Sequence, residues 1–302
     1  MFSDQTFTSA VEQEAAVGGN NLTYRQMSPG PFHGRIRRLS LPGVEIVREE
    51  SSRRLEIGFA LAPDTVFVEL HRPPSGGSRI EDLTAGPGMG GYATGPRHLS
   101  ELTEEGYDAT HVTLRGAPAN ALAALAQAGW TLFDPAGGAA VRDMALWLDG
   151  ILWHASGAGP APSAQLLAMV PGLVLDRLSL LTGHDDARPV RRGAQSRLYA
   201  RIRDWLADHA DEAICVQDIA ASFDVPARDL RIACREVAGQ GLDDLLRIHR
   251  LNLAHRDLVL ARDRPARVTD IAMDHGFVHL GRFAEQYRRF FGETPSQTLR
   301  RA

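Results

Sequence analysis

The chain of 302 residues contains no lysine and only two cysteines, Cys215 and Cys234. Every fixed cation is therefore a guanidinium, a trait we read as compositional bias of the genome. Two cysteines far from any CxxC or histidine pairing argue against a disulfide framework and a zinc site. No His-x-His pair occurs: His33, His71, His98 and His111 stand apart in the sequence. Without clustered ligands, no metal, cofactor or catalytic set is expected. There is no run of about 18 apolar residues, so no membrane span is expected. The first residues are acidic and lack a basic, apolar signal pattern, so the expected compartment is the cytoplasm.

An apolar content of 44% and a charged content of 23% are ordinary for a globular protein. The length allows about two domains. A net charge of −4 hides an asymmetry: residues 1–190 carry 14 Arg against 21 acids, and residues 191–302 carry 19 Arg against 16 acids. The halves are thus −7 and +3. So small an excess is a weak nucleic-acid signal, and the placement of the arginines has to carry that argument.

Residues 1–23 read as a flexible arm. Strands are expected near 34–41, 43–49, 54–61 and 65–71, then from His98 to Glu101 and Tyr107 to Leu114. Gly76-Gly77 and Gly86-Pro87-Gly88 mark turns. Many short strands with such turns suggest a small β-barrel or jelly roll. Helical patterns follow over Ala117–Ala128 and Val141–His154. A further helix, capped by Ser163 and running towards Leu181, is expected to break at Pro171-Gly172. Its apolar residues wrap nearly all round, so burial in the domain or against a second subunit is expected. The expected domains are 24–183 for sensing and dimerisation, 184–195 as linker, and 196–302 for a helical unit.

That unit repeats itself. Asp218-Ile219-Ala220 recurs as Asp270-Ile271-Ala272, 52 residues on. Phe223-Asp224-Val225 has a counterpart in His275-Gly276-Phe277, and Leu230 and Cys234 in Phe283 and Tyr287. Two helix-turn-helix units joined by a long helix over 242–261 are expected. In the first, Leu230, Ala233 and Cys234 share one face, and Arg228, Arg231 and Arg235 share the opposite one. Outward arginines suit a major groove, where a guanidinium contacts guanine O6 and N7 together. A solvated face with local ion pairs to Asp229 or Glu236 is the competing reading. In the second unit His279 stands at the helix cap. Leu280, Gly281, Arg282, Glu285 and Gln286 point outward, Arg282 being the base-edge candidate. Arg288 and Arg289 are phosphate candidates.

Over the last hundred or so residues the chain resembles AraC/XylS-type transcriptional regulators. The resemblance rests on Asp218-Ile219-Ala220, Leu230, Gly239, Arg250-Leu251, Ala254, Val268, Ile271-Ala272, Gly276-Phe277, Phe283, Tyr287, Phe290, Gly292 and Thr294-Pro295-Ser296. It implies two recognition helices in successive major grooves, with Arg228, Arg231 and Ile232 and then Leu280, Gly281, Arg282 and Glu285 as base readers. Cys234 stands where that family usually has phenylalanine, and Thr298 replaces a usual aromatic. The N-terminal half is similar to the cupin-like sensing domains of such regulators. The implied fold is α+β: a cupin-like β-barrel with following helices, then a tandem helix-turn-helix domain. Phe59, Phe67, Val68, Tyr92, Arg97 and His98 are candidate pocket residues. The expected function is a DNA-binding regulator, not an enzyme, controlled by a small-molecule effector. Double-stranded DNA, RNA polymerase and a second copy of the chain are the expected partners. The alternatives are a constitutive DNA-binding protein with a purely dimerising barrel, and a cupin-type metal enzyme with a DNA-binding tail.

Overall fold

The computed structural model describes residues 1–302 except 19–21, 73–77, 82, 87, 124–129, 134–137, 161, 183–192, 210–213, 262–264 and 302. The expected turns at Gly76-Gly77 and Pro87, the end of the 117–128 helix and most of the linker lie outside the described residues. The chain divides into two units, Met1–Tyr24 with Phe32–Arg191, and Arg25–Pro31 with Arg192–Ala302.

The first unit holds twelve strands among the described residues: β1 (Phe2–Phe7), β2 (Thr23–Gln26), β3 (Gly34–Leu41), β4 (Val44–Ser51), β5 (Leu55–Leu61), β6 (Thr65–His71), β7 (Ser78–Ile80), β8 (Leu83–Ala85), β9 (Gly90–Thr94), β10 (Arg97–Leu102), β11 (Tyr107–Arg115) and β12 (Thr131–Leu132). They form a seven-stranded sheet, β1-β3-β4-β11-β6-β9-β12, and a five-stranded one, β2-β5-β10-β7-β8. Helices α1 (Ala10–Val17), α2 (Ala117–Ala123), α3 (Gly138–Ala155) and α4 (Ala164–Thr182) complete the unit.

Strand alternation explains how the large sheet serves two environments. On β6, Val66, Val68 and Leu70 join a core cluster with Val141, Met144 and Leu148 of α3 and Val170, Val174 and Leu178 of α4. The intervening Phe67, Glu69 and His71 point the other way, towards the interior shared with the small sheet. Arg48 fastens α3 to the sheet, reaching Asp108 at 2.7 Å and Asp149 at 2.9 Å.

Three expectations change. Of the arm expected over residues 1–23, the part from Phe2 to Val17 is not loose: β1 pairs antiparallel with β3 from Phe2↔Leu39 to Phe7↔Gly34, and α1 buries Ala10, Val11 and Gln13. A paired edge and a buried Gln13 amide hold a stretch whose composition alone shows little pattern. Pro171 lies inside a continuous α4. Val170, Val174 and Leu178 recur every four residues across it, so packing against one cluster outweighs a lost backbone bond. Finally, Ala164–Leu181 is long and apolar enough, by length and composition, to cross a membrane, and only 17% of it is buried. One stripe packs, while Leu166, Met169 and Leu180 remain exposed.

The second unit is helical: α5 (Ala194–Asp208), α6 (Val216–Phe223), α7 (Ala227–Ala238), α8 (Leu242–Leu260), α9 (Val268–Asp274), α10 (Leu280–Phe291) and α11 (Pro295–Arg300). Residues 25–31 pack into it. Asn252 exchanges two hydrogen bonds with the Gln26 backbone at 2.9 and 3.0 Å, Gln240 Nε2 donates to Met27 O at 2.6 Å, and Gly30 N donates to Phe290 O at 2.7 Å. Met27 is fully buried.

Candidate functional site

The sequence repeat is a structural repeat. Helix α6 leads through left-handed Asp224 (φ 49°) to α7, and α9 leads through left-handed Gly276 (φ 77°) to α10. The two left-handed residues are 52 positions apart, so the same chain reversal is made twice. The second helix of each unit then stops on a left-handed glycine, Gly239 or Gly292, whose N–H bonds back to Arg235 or Arg288. After Gly292, Thr294 caps α11 in a reciprocal box with Gln297, and Pro295 occupies its first turn.

Each of these helices is two-faced. Helix α7 buries Leu230, Ala233, Cys234 and Val237, and α10 buries Phe283, Tyr287, Phe290 and Phe291. Thr298 is fully buried where it accepts from Tyr287 Oη at 2.8 Å and donates to Glu293 at 2.7 Å, which accounts for a hydroxyl at an aromatic's place. The opposite faces carry the expected readers. Arg228, Arg231, Arg235, His279, Leu280, Gly281, Arg282, Glu285, Arg288 and Arg289 are all exposed, and Ile232 is half-buried. Arg231 Nε lies 3.9 Å from Asp243. For Arg228, Arg235, Arg282, Arg288 and Arg289 no acidic partner is found among the described residues.

Arg235, Arg247, Gln286 and Arg289 border one cleft of about 790 Å³. Arg231, Arg247, Arg250 and Gln286 border a second, of about 440 Å³. The structure thus gathers Arg231, Arg235 and Arg289 around the start of α8, while Arg228, Ile232, His279, Leu280, Gly281, Arg282, Glu285 and Arg288 line neither cleft. Arg247 was not legible as a site residue. Three residues after Asp244, to which it bonds at 2.8 Å, it reads as an ordinary helix surface pair.

The first unit encloses a cavity of about 280 Å³ lined by Leu22, Tyr24, Val47, Glu49, Ile57, Phe59, Phe67, Glu101 and His111, among others. Of the candidate pocket residues Phe59 and Phe67 line it, their rings 5.1 Å apart. Val68, Tyr92, Arg97 and His98 do not line it. Val68 and Tyr92 belong to the helix-facing core, where Tyr92 stacks on Phe133 at 5.6 Å. Arg97 Nε donates to Thr94 O, and His98 is exposed beside the buried Leu99. Alternation along β9 and β10 puts Ala93 and Leu99, the neighbours of Tyr92 and His98, inside instead, whereas Arg97 stands on the Leu99 and Glu101 side of β10 at its first position.

The polar end of the interior had no sequence signature. Glu49 accepts from Gln13 and Tyr24, both at 2.7 Å. Tyr107 Oη donates to Glu69 at 2.9 Å and lies 2.9 Å from His111 Nε2. Glu69 and His111 are opposite one another in the β6–β11 register. Histidines isolated in the sequence thus converge with three glutamates, against the expectation of scattered ligands. Burial dominates their chemistry. It raises the Glu49 carboxyl, and raises Glu69 further with help from the Glu101 charge. It pushes Glu101 up to about 7, and His71 down to about 4. His111 falls to about 3, through burial and then the His71 charge.

Comparison with known proteins places the helical unit. A helix-turn-helix domain family matches residues 219–301. The XylDLEGF operon transcriptional activator 3 of Pseudomonas putida is 31% identical over 124 residues, 41% of this chain and 37% of that protein. Regulatory protein SoxS of Escherichia coli K12 is 35% identical over 92 residues, 30% of this chain and 83% of SoxS. A solved structure of a probable AraC family transcriptional regulator from Rhodopseudomonas palustris is 30% identical, covering 35% of this chain and 97% of that one, with a TM-score of 0.32. The chain spans about a third of the length of the operon regulators it matches. The duplicated helix-turn-helix, its bare arginine faces and a match running through most of SoxS lead to one assignment: this chain belongs to the AraC/XylS-type transcriptional regulators.

Proposed function

We propose that the chain is a cytoplasmic, sequence-specific DNA-binding regulator, not an enzyme, whose barrel cavity binds a small-molecule effector. The observation that carries the DNA reading is the pair of exposed arginine faces on α7 and α10, related by the repeat and, among the described residues, paired with an acid only at Arg231. Arg228, Arg231 and Ile232, with Leu280, Gly281, Arg282 and Glu285, are the base-facing set; Arg235, Arg288 and Arg289 contact phosphates. Double-stranded DNA is the partner, and RNA polymerase is recruited at the promoter.

Chain connectivity supports control by an effector. Tyr24 lines the cavity, and the next residue begins the segment that packs into the helical unit through Met27 and Asn252. An effector that moves Tyr24 therefore pulls on a segment bound within the reader. It shifts the balance of states only through differential affinity for them. The outward apolar residues Leu146 and Trp153 of α3 and Leu166, Met169 and Leu180 of α4 are exposed. A face of that kind favours a homodimer through these helices.

Selection of bound sequences from a random DNA pool tests the reading, followed by binding of Arg282→Ala to the recovered site and to random DNA. Recovery of a motif, with Arg282→Ala losing discrimination at one base pair, is expected. Recovery of no motif, with equal affinity for all sequences, would overturn it.

A further inference from the structure

The interior of the first unit holds three donor groups with no task in reading DNA. Glu69 and His71 project from alternate positions of β6, and Glu101 projects from β10 of the other sheet. All three are buried, and one ligand atom of each lies within 4.8 Å of the others. His71 Nε2 is 3.4 Å from Glu69 Oε1. Donors about 2.0–2.2 Å from a shared tetrahedral ion stand roughly 3.3 Å apart, so small side-chain rotations close the set.

Hydrogen bonding separates occupied atoms from bare ones. Tyr107 holds Glu69 Oε1, and Gln13 and Tyr24 hold Glu49. Glu69 Oε2, Glu101 Oε1 and both ring nitrogens of His71 have no hydrogen-bond partner, the contact of His71 Nε2 with Glu69 Oε1 at 3.4 Å being an ion-pair distance only. A proton shared between the two carboxyls would satisfy the oxygens but leave both nitrogens of a fully buried imidazole without a hydrogen bond. Such orphans are costly, and buried polar groups are otherwise paired. One cation accepts from both oxygens and the imidazole at once. Two carboxylates neutralise its charge, and mixed imidazole and carboxylate donors suit Zn²⁺, Fe²⁺ or Mn²⁺ rather than Cu⁺.

We propose that Glu69, His71 and Glu101 form a buried site for a divalent transition-metal ion that cross-links the two sheets of the barrel. Tyr107 orients Glu69, and His111 Nε2, 3.9 Å from Glu69 Oε1, is the nearest further donor. The cavity that exposes Glu101 and His111 is the ion's route and leaves a position for a small ligand. The site is independent of the DNA reading.

The test uses the full chain, stripped with chelator and titrated with Co²⁺ alone, reading the visible d–d absorption. One Co²⁺ per chain, displaced by Zn²⁺, is expected. Glu101→Gln and His71→Gln should each lose at least 100-fold in affinity. Tyr107→Phe should lose about 10–100-fold. His98→Gln, on the outer surface, should change nothing. Absence of Co²⁺ binding at millimolar concentration by folded wild-type protein would overturn the site, as would undiminished binding in both ligand variants. If those two variants fail to fold, Tyr107→Phe with a native circular dichroism spectrum decides: unchanged affinity sinks the proposal.

Discussion

The barrel interior and the reader helices solve opposite problems with charge. On α7 and α10 the guanidiniums are exposed, mostly without acidic partners, and adjacent along single helices. In the barrel, Glu49, Glu69 and Glu101 are fully buried, and they come from strands far apart in the chain. Exposed arginines stay charged at little cost and wait for phosphate and guanine. Buried carboxyls resist charging, so they act only through what is brought to them, a proton or a cation.

The sharpest break between the regions is stability. Phe283→Ala in the reader core should cost about 3–5 kcal/mol and abolish DNA binding. Denaturant unfolding followed by DNA titration checks this, and near-wild-type stability would show that α10 is not packed as described.

Acidification gives the next effect, on the order of 2–3 kcal/mol by about pH 4.5. Burial first, then the Arg25 charge, lowers His249 of α8 from 6.5 to about 3. A base depressed in the folded state contributes stability above 6.5 that is lost as pH falls towards 3. Hydrogen exchange of α8 peptides should therefore accelerate between pH 6.5 and 4.5, after correction for intrinsic rates. His249→Gln should flatten the profile.

Arg282→Ala should cost roughly 1–3 kcal/mol on the selected operator and little on random DNA. Arg289→Ala should weaken both alike and reduce the salt slope by about one. Fluorescence anisotropy at several salt concentrations separates the two. Identical behaviour would show that base and phosphate roles are wrongly divided. The smallest effect is expected from Asn252→Ala. It should leave DNA affinity within a few fold while uncoupling it from any ligand bound beside Tyr24.

Most of the reader was legible. The two repeated helix pairs and the long helix expected over 242–261, which runs Leu242–Leu260, are where the repeat placed them. The outward arginines followed from helical periodicity within one element. The barrel was half legible. Alternation located β3, β6 and β11, yet Tyr92 and His98 proved to face away from the cavity and Glu101 and His111 into it. Period two says that neighbours face opposite ways, but not which way is inside. Residues 1–23 were misread because the anchors of β1 and Gln13, namely β3 and Glu49, lie elsewhere in the chain. Arg247 was missed because its place beside both clefts comes from the helices around it.

The sequence by itself determined the duplicated helix-turn-helix, its spacing of 52 residues and the faces of its helices, because these are local properties of turns and of a 3.6-residue period. Tertiary structure alone decided that Glu69, His71 and Glu101 meet in one buried interior, and that residues 25–31 belong to the reader. Both depend on long-range strand pairing and side-chain packing, which bring together residues that no sequence period relates.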